Sequence, residues 1–192
     1  MRRAALLFAI IIASLTLGRD VCAQKPDNIS EDAVKAAFIH KFAIFVEWPA
    51  SKFATPDAPI SIGVLGDDSF ADGLAGIVDS KIVKTRKFKV SKLKWSKDLK
   101  DSRELKDCHM VYIAASESAH GDELIQILKG MPILTIADFY GFARHGGIIN
   151  FVQEDNSVRF EVNPEAAKQS DLTISSQFLQ IAKIVHTEQG RR

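Results

Sequence analysis

Hydrophobic and polar residues alternate along this chain with two different periods. Short apolar runs of strand length occur at Ile60–Leu65, 87–93, 109–114 and 133–137, and amphipathic stretches at 69–78, 95–105 and 122–129 separate them. Strands that alternate with helices predict a parallel sheet wound by right-handed crossovers, with helices on both faces. We therefore expect an α/β fold: a single three-layer domain whose mainly parallel sheet has about four strands.

The last quarter of the chain departs from this pattern. Residues 148–153 and 158–162 flank a turn-rich tetrapeptide, which predicts a C-terminal β-hairpin. Pro164 opens a short helix, and Ser175 or Ser176 caps a final one. The apolar stripe of that final helix consists of Phe178, Ile181, Ala182 and Val185.

A further helix is predicted ahead of the sheet, from residue 31 to Glu47. Its interior has apolar residues on more than one face, so we expect it to be covered on more than one side. Trp48 and Pro49 end it, because proline cannot continue the helical hydrogen-bond ladder. Aromatic residues follow this segment at helical spacing: Phe38, Phe42, Phe45 and Trp48.

The beginning of the chain has the pattern of an export signal. Arg2 and Arg3 precede an apolar run that is shorter than the roughly 20 residues of a membrane-spanning helix. Small residues then precede a cleavage site between Ala23 and Gln24. The predicted organisation is a cleavable signal peptide (1–23), a polar lead-in (24–30), one domain (31–187) and a frayed tail (188–192), exported to the periplasm. An uncleaved anchor and a lipoprotein cut before Cys22 are the alternatives.

The charge balance and the cysteine content limit the classes of protein to which this chain can belong. After cleavage, 22 basic and 23 acidic side chains remain, so the chain lacks the basic excess with which proteins bind nucleic acid. Cys22 leaves with the signal peptide and Cys108 remains without a partner, so no disulfide is expected. Cys108 begins an apolar strand, which favours a buried thiol.

One segment is an exception to the balanced charge. Its basic residues are Lys81, Lys84, Arg86, Lys87, Lys89, Lys92, Lys94 and Lys97. A solvated strand-and-loop surface explains such a run, and binding to an anionic envelope surface is the alternative.

The candidate catalytic and metal-binding residues do not form a known motif. The histidines lack zinc-ligand spacing, and the Gly66-Asp67-Asp68 turn lacks the glycines and lysine of a phosphate-binding loop. Ser116 and Ser118 lack the glycines that flank a nucleophile elbow. We therefore expect no enzyme activity, no cofactor and no metal site, with an unrecognised hydrolase as a remote alternative.

The segment 139–147 is the most informative part of the chain for binding. Three aromatic residues, Arg144 and a Gly-Gly step follow the end of a strand, where open parallel sheets bind ligands. The segment is either a recognition loop or a turn whose phenylalanines tuck beneath it. Arg159 and Glu161 share one face of the hairpin, and we expect them to pair with Arg144 or with a partner.

Several segments, read in order, resemble the YfiR/HmsC-like family (DUF4154). They include AVKAAFIHKFAIFVEWP at 33–49, LKDCHMVYIAAS at 105–116, and 134–150 with its closing GGIIN. The resemblance extends from residue 33 to residue 185. It implies a periplasmic repressor of a membrane-bound diguanylate cyclase, countered by an outer-membrane lipoprotein, so that cyclic-di-GMP output falls. The best-known member has stabilising disulfides, a pattern from which the lone Cys108 departs.

The resulting hypothesis is a regulatory module that binds a partner protein or a second copy of itself. Binding shifts the equilibrium between the active and inactive conformations of a receptor. The expected partner-binding residues are Phe38, Phe42, Phe45, Trp48, Arg144, Asn150, Arg159 and Glu161. The alternative is a small-ligand sensor that feeds another membrane receptor or kinase, with its pocket at the carboxyl ends of Ile60–Leu65 and 133–137.

Overall fold

The computed structural model describes residues 30–155 and 157–188. The predicted signal peptide, the lead-in up to residue 29 and the last four residues of the tail lie outside this range. The elements in chain order are α1 (Glu31–Phe45), β1 (Val46–Glu47), β2 (Ile60–Leu65), α2 (Asp68–Val78), β3 (Phe88–Leu93), α3 (Arg103–Lys106), β4 (Met110–Ile113), α4 (Gly121–Leu128), β5 (Leu134–Ala137), β6 (Ile149–Glu154), β7 (Ser157–Val162), α5 (Pro164–Gln169), β8 (Thr173–Ile174), α6 (Ser176–Leu179) and β9 (Lys183–Ile184). No described helix is long and apolar enough to cross a membrane.

The main sheet has the strand order β3-β2-β4-β5-β6-β7-β9. The first five strands are parallel, β6 and β7 form the antiparallel hairpin, and β9 lies parallel to β7. The α/β class and the hairpin are confirmed, but the sheet has seven strands where about four were expected in its core. The hairpin does not stand apart from that core, because Ile149 of β6 lies opposite Ile136 of β5.

Two hydrophobic cores, one on each face of the sheet, give the domain three layers. Met110 and Tyr112 of β4 pack into the core formed with α1 and α2, whereas Val111 and Ile113 pack into the core formed with α3 and α4. This alternation follows from the period of two along a strand. Helices on both faces were predicted and are confirmed.

The first helix ends two residues earlier than predicted. Val46 and Glu47 leave the helix and pair antiparallel with Ile174 and Thr173, forming a second, two-stranded sheet. The Ser175 backbone N–H donates to the Phe45 carbonyl over 2.9 Å. A hydrogen-bond partner about 130 residues away in the sequence therefore replaces the last helical turn.

The predicted helix at 95–105 is mostly irregular. A 3-10 turn at Leu99–Asp101 is followed by the single turn of α3, whose Leu105 N–H donates to the Ser102 side chain over 3.1 Å. Serine and aspartate side chains compete with the helical ladder by bonding nearby backbone groups, so they favour caps and turns here.

The predicted final helix is also shorter than expected. It ends at Leu179, and Lys183 and Ile184 form β9 instead. The Val185 N–H donates to the Val162 carbonyl over 2.9 Å, which ties this segment to the edge of the sheet. The predicted helical stripe therefore breaks, and Ile181 is 70% exposed.

Cys108 is buried at the start of β4. Its thiol donates to the Glu104 carbonyl over 3.1 Å. Burial raises the pKa of the Cys108 thiol to about 11, so at neutral pH this thiol is protonated and unreactive.

Candidate functional site

A cleft of about 510 Å³ lies at the carboxyl end of the sheet. The start of α1, the loop after β5 and the β6–β7 hairpin enclose it, because β6 continues beyond the end of its neighbour β5. Charged and aromatic side chains share its lining, which comprises Glu31, Lys35, Asp138, Phe139, Tyr140, Arg144, Phe151, Val152, Gln153, Glu154, Val158, Glu161 and Lys183.

The innermost cation of the cleft is Lys35, whose side chain is only 7% exposed. Its Nζ lies 2.6 Å from Asp138 Oδ2 and 2.6 Å from Glu31 Oε1. Burial by itself lowers the pKa of Lys35, but the hydrogen bonds to Asp138 and Glu31 outweigh it and leave that pKa raised. The ammonium group is therefore firmly protonated and bridges α1 to the end of β5.

Tyr112 completes this buried cluster from β4. Its hydroxyl donates to Asp138 Oδ2 over 3.1 Å. Burial, and then the negative charge of Asp138, raise the pKa of Tyr112 far above its usual value. The hydroxyl thus remains a hydrogen-bond donor, and Asp138 accepts from two side chains of different elements.

A second ion-pair network forms the rim of the cleft. Arg144 donates to Glu161 over 2.9 Å, and Lys183 lies 2.8 Å from Glu154 and 3.6 Å from Glu161. The hydrogen bond from Arg144 to Glu161 raises the pKa of the guanidinium. The structure therefore brings together Arg144 and Glu161, two of the predicted site residues. Arg159, also predicted, is exposed on the hairpin opposite Val152.

Asn150 is buried and holds the backbone around the cleft in place. Its amide nitrogen donates to the carbonyls of Phe139 and Phe151 over 2.8 Å each, and more weakly to that of Ala137. Asn163 plays a similar role further along: it donates to the Ala143 carbonyl over 2.8 Å and caps α5. Two buried amides thus fix the loop between β5 and β6 at Phe139 and at Ala143, on either side of Tyr140.

This loop presents Tyr140 to solvent with 93% of its surface exposed. Phe142, by contrast, is buried beneath the loop, and its ring centroid lies 5.5 Å from that of Phe139. The burial of Phe142 agrees with the turn interpretation of segment 139–147, and that segment's role in recognition stays a prediction. Tyr140 also borders a second concavity of about 410 Å³, where His145 lies 3.3 Å from Asp122.

The aromatic residues of α1 lie in the core. Phe42 is fully buried, with ring centroids 5.2 Å from Phe160 and 5.3 Å from Phe178. Phe38 and Phe45 are partly buried against the same cluster, and the Trp48 indole N–H donates to the His109 carbonyl over 2.9 Å. In this conformation Phe42 offers no surface to a partner.

Sequence reasoning missed Lys35, Asp138 and Asn163. Asp138 directly follows a buried strand at the edge where parallel sheets place functional groups, and that position could have indicated it. Lys35 follows Glu31 by four residues, the spacing of a helical ion pair. Asn163 gave no distinctive signal beyond its position before a proline at the first turn of a helix.

The predicted sensor pocket is only partly where it was expected. The cleft adjoins the end of β5, but no residue at the end of β2 lines it. Strand β4 lies between these two strands, and the end of β2 is closed by Ser116, whose hydroxyl donates to the Gly66 carbonyl over 2.9 Å. In the described part of the chain, no three His, Cys, Asp or Glu side chains are grouped to hold a metal ion.

His109 occupies a second buried polar position, away from the cleft. Its ring stacks on Phe53 with centroids 4.3 Å apart, and its Nδ1 accepts from the Ser61 N–H over 3.1 Å. Burial, followed by the nearby charges of Lys52 and Arg86, lowers the pKa of His109 to about 4. The imidazole is therefore neutral in the folded protein throughout the physiological range.

This lowered pKa predicts a loss of stability in mild acid. The unfolded chain takes up a proton at His109 near pH 6.5, whereas the folded protein does so only near pH 4. The free energy of unfolding will therefore fall by about 2 kcal/mol from pH 7.5 to pH 5 through this residue alone. Urea unfolding of the wild type and His109→Gln at both pH values measures it. An equal fall in the two proteins would contradict the assignment.

The three layers and the polar cleft at the carboxyl end of the sheet define an α/β protein. A sequence profile of the YfiR/HmsC-like family (DUF4154) matches residues 32–183, and the chain belongs to this family. A search of the curated proteins found no match.

A solved structure of similar fold is the conserved domain protein from Vibrio cholerae O1 biovar eltor str. N16961, with a TM-score of 0.51 and 13% sequence identity. The match covers 81% of this chain and 60% of that one. At this identity the likeness is one of fold alone, and this chain spans less than two thirds of that one.

Proposed function

We propose that this chain is a periplasmic regulatory protein that lowers the output of a membrane-bound diguanylate cyclase by binding the cyclase's periplasmic domain. Membership of the YfiR/HmsC-like family supports this role. The observation that carries the proposal is the exposure of Tyr140 on a loop whose backbone is held by buried amides on either side of it, at Phe139 and at Ala143.

A rigid loop with an exposed tyrosine is suited to protein–protein contact. Tyrosine and arginine are enriched among residues that dominate binding energy at interfaces. A tyrosine whose backbone is already fixed loses little conformational entropy on binding. Tyr140 has both properties, and Arg159 and the Arg144–Glu161 pair lie on the neighbouring hairpin and loop.

The charges of the cleft favour a protein partner over a small ligand. Lys35, Arg144 and Lys183 are each already paired with two carboxylates. A small charged ligand would have to displace one of these pairs before it could bind. A partner that contacts Tyr140 and the rim leaves all of them intact.

Repression of this kind needs no chemistry. A protein that binds the inactive form of a receptor more tightly than the active form shifts the equilibrium by the difference in the two binding free energies. A hundredfold preference corresponds to about 2.7 kcal/mol, which a few interface side chains can supply.

Tyr140→Ala will weaken binding of the cyclase periplasmic domain by at least about tenfold, since truncation removes an aromatic anchor. Arg159→Glu will weaken it as well, by reversing an exposed charge beside the same surface. Glu161 is less suitable for reversal, because its side chain is buried and balances Arg144 and Lys183. Isothermal titration calorimetry with the purified cyclase domain measures the binding affinity of both variants.

The matched control is Arg103→Glu, which reverses an equally exposed charge on α3. It should bind the cyclase domain as the wild type does. Wild-type affinity in both Tyr140→Ala and Arg159→Glu would exclude this surface. If the wild type does not bind the cyclase domain at all, the proposed function is wrong.

A further inference from the structure

Charge is strongly segregated in this domain. Residues 81–97 carry eight basic side chains and no acidic one, whereas the other described residues carry 11 basic and 22 acidic side chains. The near-neutral total therefore conceals one basic segment on an otherwise acidic molecule. Such a segment attracts anionic partners over distances of about a Debye length.

The fold places this segment at the free edge of the main sheet. Strand β3 pairs with β2 along all six of its residues, and no described strand lies on its other side. An edge strand of this length exposes a row of backbone N–H and C=O groups that can pair with another chain.

Most of the lysines around this edge have no ion-pair partner. Lys84 lies 3.6 Å from Glu47 and Lys92 lies 2.9 Å from Asp72, and both contacts are exposed. In the described structure no carboxylate lies within 4 Å of the other five lysines, which are Lys81, Lys87, Lys89, Lys94 and Lys97. All seven side chains are exposed.

We propose that the β3 edge binds an extended acidic segment of a partner protein, which adds to the sheet as a further strand. This contact goes beyond the proposed function, since β2 and β4 separate the β3 edge from β5, the strand whose end carries the Tyr140 loop. Side chains of an added strand alternate between the two faces of the sheet. Lys89 and Lys92, three residues apart, stand on opposite faces and can meet acidic residues on both.

Protection of the edge and binding to lipid account for these lysines less well. Edge strands are often protected from aggregation by a lysine, but one or two suffice for that purpose. A flat anionic lipid surface would favour lysines gathered on one face, whereas those of β3 occupy both. The unpaired backbone groups of the β3 edge and the lysines on both faces of the strand together favour a polypeptide as the binding partner.

The test uses the exported chain and a fluorescein-labelled peptide of repeating Glu-Glu-Val-Val, whose glutamates lie on both faces of the extended strand. Binding followed by fluorescence anisotropy should weaken with increasing salt. The triple variant Lys87→Glu, Lys89→Glu, Lys94→Glu should bind the peptide at least about tenfold more weakly, from the loss of several exposed ion pairs. The control Lys41→Glu, Lys129→Glu, Lys168→Glu changes the net charge equally at exposed lysines elsewhere and should bind as the wild type does.

Strand addition is separated from simple charge attraction by a second peptide of equal charge in which proline replaces every valine of the repeat. Proline lacks the N–H that pairs with an edge, and adjacent prolines remove N–H groups from both edges of the peptide, so this peptide should not bind. If it binds as well as the first, or if neither binds, the proposal is overturned. Binding to vesicles containing phosphatidylglycerol without binding to the peptide would overturn it in favour of a lipid surface.

The variants also distinguish this proposal from the proposed function. The β3 variants should bind the cyclase domain through the Tyr140 loop with wild-type affinity, and Tyr140→Ala should bind the acidic peptide normally. If the glutamate triple variant does not fold, the corresponding Lys→Gln triple variant removes the same charges with less perturbation and should lose the same binding.

Discussion

Gly147→Ala will lower the free energy of unfolding by at least about 3 kcal/mol. A Cβ atom at this position would lie 2.1 Å from Cε1 and 2.2 Å from Cδ1 of Phe142. The Phe142 ring is buried and packs against Phe139, so it can move aside only by disturbing that packing. The added methyl group therefore forces apart the loop that carries Tyr140 and the start of β6.

Gly73→Ala and Gly76→Ala are the matched controls. Both glycines lie in α2, where an added Cβ meets no atom within 4 Å. Each replacement should stabilise the protein by about 0.5 to 1 kcal/mol, because alanine has the higher helix propensity and restricts the unfolded chain. Urea unfolding with a shared slope compares all three variants. A Gly147→Ala midpoint equal to that of the wild type would show that Phe142 does not pack on this glycine.

Asp138→Ala will lower the free energy of unfolding by about 3 kcal/mol, because it leaves a buried cation without the more buried of its two partners. Lys35 would retain only Glu31, which is half exposed, and the Tyr112 hydroxyl would lose its acceptor. For a domain of this size, such a change lowers the melting temperature by about 6 to 12 °C. The loop that follows Asp138 should also bind the cyclase domain more weakly.

The control is Asp72→Ala, which removes the carboxylate of an exposed ion pair with Lys92. It should leave the free energy of unfolding nearly unchanged, since solvent screens that pair. A further test replaces both buried partners, as Lys35→Met with Asp138→Leu. The double variant should be more stable than Asp138→Ala, because no buried charge is left unpaired. Equal losses of unfolding free energy in Asp138→Ala and Asp72→Ala would mean that burial does not increase the contribution of the Lys35–Asp138 pair to stability.

The Lys35 cluster also sets the direction of the alkaline pH dependence. Its pKa is raised above the ordinary value of 10.5, so folding favours the protonated ammonium. This contribution to stability is fully present below pH 10.5 and is lost as the pH rises through the folded value. His109 acts at the other end of the range, where its stabilisation is lost as the pH falls below 6.5.

Gly147 and Asp138 lie at the two ends of the loop between β5 and β6, whose shape determines the proposed interface. Tyr140 itself projects from this loop into solvent. Loss of either Gly147 or Asp138 should therefore reduce partner binding through the position of the loop, whereas Tyr140→Ala should reduce binding with the stability unchanged. The Tyr140 variant thus tests the contact residue itself, whereas the Gly147 and Asp138 variants test the backbone that positions it.

Local pattern alone predicted much of this architecture. The apolar runs at Ile60–Leu65 and 133–137 predicted buried parallel strands, since strands covered on both faces are apolar at successive positions. The turn between β6 and β7 predicted the hairpin. Alternation along β7 placed Arg159 and Glu161 on one face, where they were expected to pair with Arg144 or with a partner, and the structure joins Glu161 to Arg144 at 2.9 Å.

By itself, then, the sequence determined the α/β class, the order of the main strands and helices, and the family, because these depend on residue periodicity and motifs along the chain. Only the tertiary structure decided where α1 ends, that β9 replaces most of the last helix, and that Lys35 meets Asp138 across 103 positions. The physical reason is that each of these outcomes depends on hydrogen bonds to a distant segment, which outweigh local helix propensity and leave no periodic signal.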